Sequence, residues 1–167
     1  LFALKKLGAK IKIKNGYIIA EAKKGLIGTT IKFPKISVGA TENAILAAFN
    51  AKGKTIIKNC AVEHEVKKLV FFLKKLGANI NFSGRTITVV EQSIKKLEIN
   101  YEIMFDRIEA GTYIIASALI GKKVLINKIN PEIIKKEIEI LKKIGVKIKK
   151  NKASILISKN KKLKNIN

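Results

Sequence analysis

The chain has 167 residues, 47% of them hydrophobic and 28% charged, which is enough apolar material to bury a core and argues against an intrinsically disordered segment. Its formal net charge is +23, yet every basic residue except Arg85 and Arg107 is a lysine, and aromatic residues are only 6% with no tryptophan. A dedicated nucleic-acid reader uses arginine forks and aromatic stacking platforms, so the composition reads instead as a lysine-rich surface with non-specific, salt-sensitive attraction to polyanions as a side effect.

From the N-terminus, Leu4-Lys5-Lys6-Leu7-Gly8-Ala9-Lys10-Ile11 reads as the end of an amphipathic helix, a left-handed glycine cap and the start of a strand. The phrase returns 69 residues later, from Leu73 to Ile80, and again 68 residues after that, from Leu141 to Ile148. Such self-similarity marks an internal repeat. Ala9 to Lys14 and Tyr17 to Glu21 flank Asn15-Gly16, the dipeptide of a primed hairpin turn.

Ile31 to Phe33 ends a strand, and Pro34, without an N–H, stops the ladder there. Between Lys35 and Thr41 come a cation, the Ser37 hydroxyl, Gly39 and a helix-start residue at Thr41, with Glu42 in the first turn. A strand, a small-residue turn and a helix N-terminus together can hold an anion, because unpaired N–H groups and the positive end of the helix dipole point at it. The same residues also make an ordinary turn. Thr41 to Lys52 is apolar almost all round, which predicts a helix buried on most sides.

Gly53 to Asn59 predicts a turn and a short strand, and returns as Gly121 to Asn127. Cys60, the only cysteine, excludes an internal disulfide and fits a reducing, cytoplasmic compartment. Glu63 to Leu76 sets Val66, Leu69, Val70, Leu73 and Leu76 on one helical face, with Lys67, Lys68, Lys74 and Lys75 toward solvent. Asn79 to Phe82 and Thr86 to Val90 flank Ser83-Gly84-Arg85. Glu91 to Asn100 is a polar connector.

A second apolar helix runs from about Ile108 to Ile120, and its apolar run, Tyr113 to Gly121, is far short of the ~18 residues of a membrane span. A strand from Lys122 to Ile126 follows. Pro131 to Ile144 repeats the amphipathic helix with proline in its first turn, and two strands around Asn151-Lys152 close the copy. Each unit is thus strand, buried helix, strand, amphipathic helix and two strands, an α/β arrangement.

Lys35-Ile36-Ser37-Val38-Gly39-Ala40-Thr41-Glu42-Asn43-Ala44 closely resembles the UDP-N-acetylglucosamine 1-carboxyvinyltransferases, the enolpyruvyl transferases that begin peptidoglycan synthesis. Leu7 to Ala9, Gly53 to Ile57, Glu63 to Glu65, Leu76 to Ala78 and Asp106-Arg107-Ile108-Glu109-Ala110-Gly111-Thr112 follow in the family's order. The resemblance implies an inside-out α/β barrel of βαβαββ units, of which this chain, starting at Leu1 rather than Met, is an internal segment. It places residues 1–105 in the first, catalytic lobe and 106–167 at the beginning of the second. The family's catalytic cysteine loop is expected upstream of Leu1, leaving no catalytic residue in the segment, and Cys60, which lacks the loop's glycine frame, is expected to be structural.

The resemblance further implies transfer of the enolpyruvyl group of phosphoenolpyruvate to the 3-hydroxyl of UDP-N-acetylglucosamine, with no metal or organic cofactor and with the rest of the enzyme as partner. No specific nucleic acid and no membrane is expected. Lys35, Ile36, Ser37, Val38 and Gly39 match the segment that contacts the UDP-sugar. Glu63, Asp106, Arg107 and Glu109 match cleft-lining positions, although acids beside a helix start also simply complement its dipole or cap it. His64 and Phe105 stand where the family usually has proline, and a lone histidine is no metal signature. The alternatives are the sister enzyme acting on shikimate 3-phosphate and a non-catalytic basic module that binds polyanions.

Overall fold

Alternating lysine and isoleucine from Lys10 to Lys14, and the Asn15-Gly16 pair with φ of 50° and 80°, build the first ribbon, β1 (Lys10–Lys14) and β2 (Tyr17–Glu21), after a short helix α1 (Phe2–Lys6). Positive φ at both turn residues matches the twist of the strands, and Lys14 pairs with Tyr17 across it. The computed structural model describes residues 1–92, 98–158 and 163–165. The connector read from Glu91 to Asn100 and the lysine-rich C-terminal tail therefore lie partly outside the described residues.

The chain divides into two compact units, Leu1–Glu102 and Ile103–Asn167. In the first, β3 (Thr30–Lys32), α2 (Val38–Phe49), β4 (Lys54–Lys58), α3 (His64–Lys75), β5 (Asn79–Ser83) and β6 (Thr86–Val90) follow the ribbon. They form a sheet of order β3-β4-β6-β5, parallel between β3 and β4 and antiparallel elsewhere. The second unit holds α4 (Arg107–Ile120), β7 (Lys123–Asn127), α5 (Lys135–Lys143), β8 (Lys147–Lys150) and β9 (Ser154–Ser158), with order β7-β9-β8. That is the order β4-β6-β5 again, so the repeat seen in the sequence is a repeat of strand pairing. The residues that follow β4 and β7, Asn59 and Lys128, both take left-handed backbone, with φ of 59° and 56°.

The three glycine phrases end in one geometry. Gly8, Gly77 and Gly145 have φ of 97°, 94° and 100°, and the next residue in each copy donates back across the turn, from Ala9 to Leu4, Ala78 to Leu73 and Val146 to Leu141. This double closure satisfies carbonyls that the helix end leaves orphaned. Ile31, Ile45, Ile57, Val66, Ile87 and Val89 fill the first core, and Ile114, Ile134, Ile138, Ile155 and Ile157 the second.

Two expectations are corrected. α2 begins at Val38 with Ser37 as its N-cap, not at Thr41. Both residue types can cap; Ser37 keeps an extended backbone and its side chain accepts from the Ala40 amide, while Thr41 is already helical and buried. α5 begins at Lys135 rather than Pro131, because Asn130 takes the Glu132 amide on its side chain and the Ile133 amide on its carbonyl, holding 131–134 as a turn. α2 is covered except at Gly39, Asn43 and Leu46, as its apolar circumference predicts, whereas α4 leaves Ile115, Leu119 and Ile120 exposed. Among the described residues no helix is long and apolar enough to cross a membrane.

Two buried positions set opposite expectations for stability. Among the described residues the buried Thr55 hydroxyl has no hydrogen-bond partner, so Thr55→Val is expected to raise the unfolding free energy by about 1 kcal/mol in urea titration. A Cβ at Gly28 would lie 2.5 Å from the Lys54 carbonyl oxygen, so Gly28→Ala is expected to lower it by about 1–3 kcal/mol.

Candidate anion-binding site at the start of α2

The loop after β3 is held at its base by backbone and side-chain bonds. The Phe33 amide donates to the Lys58 carbonyl at 3.1 Å, and the Asn59 amide group donates to the Phe33 carbonyl at 2.9 Å. Pro34 ends the ladder and Lys35 and Ile36 turn outward. Ser37 then caps α2, its Oγ accepting from the Ala40 amide at 3.3 Å, and its hydroxyl proton remains available to donate.

Among the described residues, nothing accepts from the amides of Val38 and Gly39, the first two N–H groups of α2. They point along the positive end of the helix dipole, next to Ser37 and the exposed Lys35. Gly39 is instructive, because a Cβ there would meet no atom within 4 Å and its φ is not positive. The fold does not require a glycine at this position; open space outside the helix is what the residue preserves. Asn43, one turn on, donates to the Gly39 carbonyl at 2.8 Å.

This helix start borders a groove of about 720 Å³ whose lining includes Lys35, Gly39 and Asn43 together with Phe2, Ile18 and Phe33. The Phe2 and Phe33 rings stand 6.2 Å apart. A groove lined by a cation and a helix start as well as by aromatic surface suits an anion joined to a flat or apolar group. The apolar part of this lining escapes a reading of the sequence because three separate segments contribute it.

Glu63 is the N-cap of α3, but its carboxylate takes the Val62 amide at 2.7 Å rather than an amide of the helix. The loop before it is tied to α2, where Thr41 Oγ1 donates to the Ser37 carbonyl at 2.8 Å and accepts the Ala61 amide at 3.0 Å. Partial burial first, and then the charge of Glu65, hold the Glu42 carboxyl above the usual carboxylate range. The five residues from Lys35 to Gly39 are thus brought together, with Glu63 linked to them through Thr41 and Ala61.

Asp106, Arg107 and Glu109 belong to the second unit. Asp106 caps α4, its carboxylate accepting the Ile108 and Glu109 amides at 2.8 and 3.1 Å. Glu109 sits in the first turn, where its charge complements the dipole.

The whole chain, residues 1–167, matches the family model described as EPSP synthase (3-phosphoshikimate 1-carboxyvinyltransferase). It is 54% identical over 167 residues to the UDP-N-acetylglucosamine 1-carboxyvinyltransferase of Pelagibacter ubique (strain HTCC1062), covering 100% of this chain and 40% of that protein. It is 46% identical over 155 residues to that of Endomicrobium trichonymphae, covering 93% of this chain and 37% of the relative. Among solved structures, the enolpyruvyl transferase NikO from Streptomyces tendae matches with a TM-score of 0.79 at 19% identity, over 95% of this chain and 41% of that one. EPSP synthase from Acinetobacter baumannii matches with 0.65 at 21% identity, over 98% and 40%. These two likenesses show the fold, the inside-out α/β type with repeated units and inner helices that the motifs implied. The chain spans about 40% of the length of the curated relatives it matches.

Cys60 is fully buried, its Sγ donating to the Ile57 carbonyl at 3.2 Å, and burial pushes its thiol up to about 11. Native protein at pH 8 is therefore expected to resist thiol reagents that label it completely in denaturant. Because the unfolded thiol ionises first, stability attributable to this group is present below pH ~9 and is lost as pH rises towards 11; unfolding titrations across that range check the sign.

Proposed function

The chain belongs to the EPSP synthase (3-phosphoshikimate 1-carboxyvinyltransferase) family, and from that membership we propose that it is the nucleotide-sugar-binding portion of an enzyme that transfers the enolpyruvyl group of phosphoenolpyruvate to UDP-N-acetylglucosamine. The observation that carries the reading is the start of α2. Two unpartnered amides, a capping hydroxyl, a flanking lysine and a glycine with open space beside it stand in a row, in a chain 54% identical to a relative named for this reaction. A nucleotide diphosphate needs several fixed donors more than it needs one strong charge. Lys35, Ile36, Ser37, Val38 and Gly39 take that role, with the apolar part of the groove lining against the rest of the ligand.

In the reaction a proton adds to the terminal carbon of the enolpyruvyl group as the sugar 3-hydroxyl oxygen, giving up its own proton, bonds to the carbon that carries the phosphate; departure of the phosphate with loss of a proton from the terminal carbon then restores the double bond. Charge builds on that carbon and on the departing phosphate, so fixed charges in a water-poor cleft lower the barrier. Glu63 at the start of α3 and Asp106, Arg107 and Glu109 at the start of α4 are the cleft-lining candidates. Residues 1–105 fall in the first lobe and 106–167 in the second. The proposed setting is the cytoplasm, in the synthesis of peptidoglycan precursors. The rest of the protein supplies the other reacting groups.

Calorimetric titration of UDP-N-acetylglucosamine into the full-length protein that contains this chain tests the reading. Ser37→Ala combined with Gly39→Val is expected to weaken saturable, uridine-dependent binding at least tenfold, about 1.4 kcal/mol. Gly39→Ala alone is expected to keep or slightly raise stability while lowering affinity. Competition by shikimate 3-phosphate rather than the UDP-sugar would shift the assignment to the sister reaction. Binding that follows ionic strength and ignores uridine would replace both with a polyanion surface.

A further inference from the structure

Thr41 is fully buried, and a buried hydroxyl lowers stability unless its donor and acceptor are both used. Both are. Donation to the Ser37 carbonyl at 2.8 Å, four residues back, is open to any helical threonine. Acceptance of the Ala61 amide at 3.0 Å, from twenty residues away, is a tertiary bond. Ala61 is itself fully buried, so no water replaces that acceptor. One end of the bond belongs to the residue that closes the first turn of α2 on Ser37; the other lies in the loop that leads to Glu63.

The second copy of the repeat serves as an internal control. Counted from the N-cap, Thr41 and Ala110 hold the same position, and their amides donate to the Ser37 and Asp106 carbonyls, each at 3.0 Å. Both are buried. The following loops also correspond, since the Cys60 amide donates to the Arg85 carbonyl at 2.9 Å and the Ile129 amide to the Ala153 carbonyl at 3.2 Å. Yet at this position the second copy has Ala110, with no hydroxyl to reach the following loop. Asn130, in the place of Ala61, instead takes the Glu132 amide on its own side chain at 3.0 Å. The unit forms with alanine at this position, so the hydroxyl answers a need particular to the first copy.

We infer that Thr41 is a positioning residue for sugar-nucleotide binding. Its hydroxyl locks the start of α2, with Ser37 and the free amides of Val38 and Gly39, to the Ala61–Glu63 loop, so that the two loops meet a ligand in one register. The inference rests on the proposed reading of this loop as the sugar-nucleotide site. Two further bonds hold the second loop independently, from Asn59 to the Phe33 carbonyl and from the Arg85 guanidinium to the Cys60 carbonyl, each at 2.9 Å. Losing the Thr41 bond therefore loosens the register without unfolding the unit.

The test compares wild type, Thr41→Val, Thr41→Ser and, as a buried-threonine control with no link to either loop, Thr55→Val, all in the full-length protein. Affinity for UDP-N-acetylglucosamine and hydrogen exchange at the Ala61 amide are read on the same samples. Thr41→Val is expected to bind about tenfold more weakly and to exchange faster at Ala61, Thr41→Ser to stay within about threefold of wild type, and Thr55→Val to leave both unchanged. Thr41→Val that binds as tightly as wild type overturns the inference. If wild type itself fails to bind the UDP-sugar, the functional reading falls, and exchange alone decides the lock. Acceleration at Ala61 in Thr41→Val upholds it as a loop clamp, and unchanged exchange removes it.

Discussion

Parallel neighbours in a sheet cannot be joined by a tight turn, so the pairing of β3 with β4 obliges the chain to leave the sheet after Lys32 and return through a helix. That obligation puts the start of α2 beyond the carboxyl end of β3, where Pro34 has already ended the ladder. The next pairing, β4 with β6, carries the Gly84-Arg85 turn to the loop after β4. There Arg85 and Cys60 exchange two bonds, one from the Cys60 amide and one from the guanidinium. The loop that leads to Glu63 thus hangs from β3, α2 and β6 at once. Each bond contributes only about 1 kcal/mol net, but together they leave the loop little freedom, and a preordered loop gives up less entropy when a ligand arrives.

Much of this was legible in the sequence where the physics is local. Glycine after an amphipathic helix, Asn-Gly between alternating strands, and the return of the same phrase at a fixed interval all depend on neighbouring residues. The contiguous run from Lys35 to Gly39 was legible for the same reason. The starts of α2 and α5 were not. Ser37 and Thr41 are both good caps, and what decides between them is that Thr41 meets the core and a distant amide, which no local rule contains. Pro131 is compatible with a first helical turn, but the side chain of Asn130 competes for the amide that would join it. An apolar circumference states what a helix can bury and the neighbours present decide what it does bury, so α2 is covered except at Gly39, Asn43 and Leu46 while α4 leaves Ile115, Leu119 and Ile120 exposed. The groove lining of Phe2, Ile18 and Phe33 is assembled from three segments and leaves no contiguous mark.

The ribbon of β1 and β2 gives the lysine excess a different meaning. Its strands pair only with each other among the described residues, and Ile13, Tyr17, Ile18 and Ile19 face solvent. Unpaired edges with exposed β-branched side chains recruit strands from other molecules. Lys10, Lys12 and Lys14, at alternate positions of β1, put like charges in the path of such an incoming strand. The reach of that repulsion is about 30 Å at 0.01 M salt and about 8 Å at 0.15 M. These three lysines therefore act as a colloidal guard on an adhesive edge, and the electrolyte sets how closely two molecules can drift before the guard gives way.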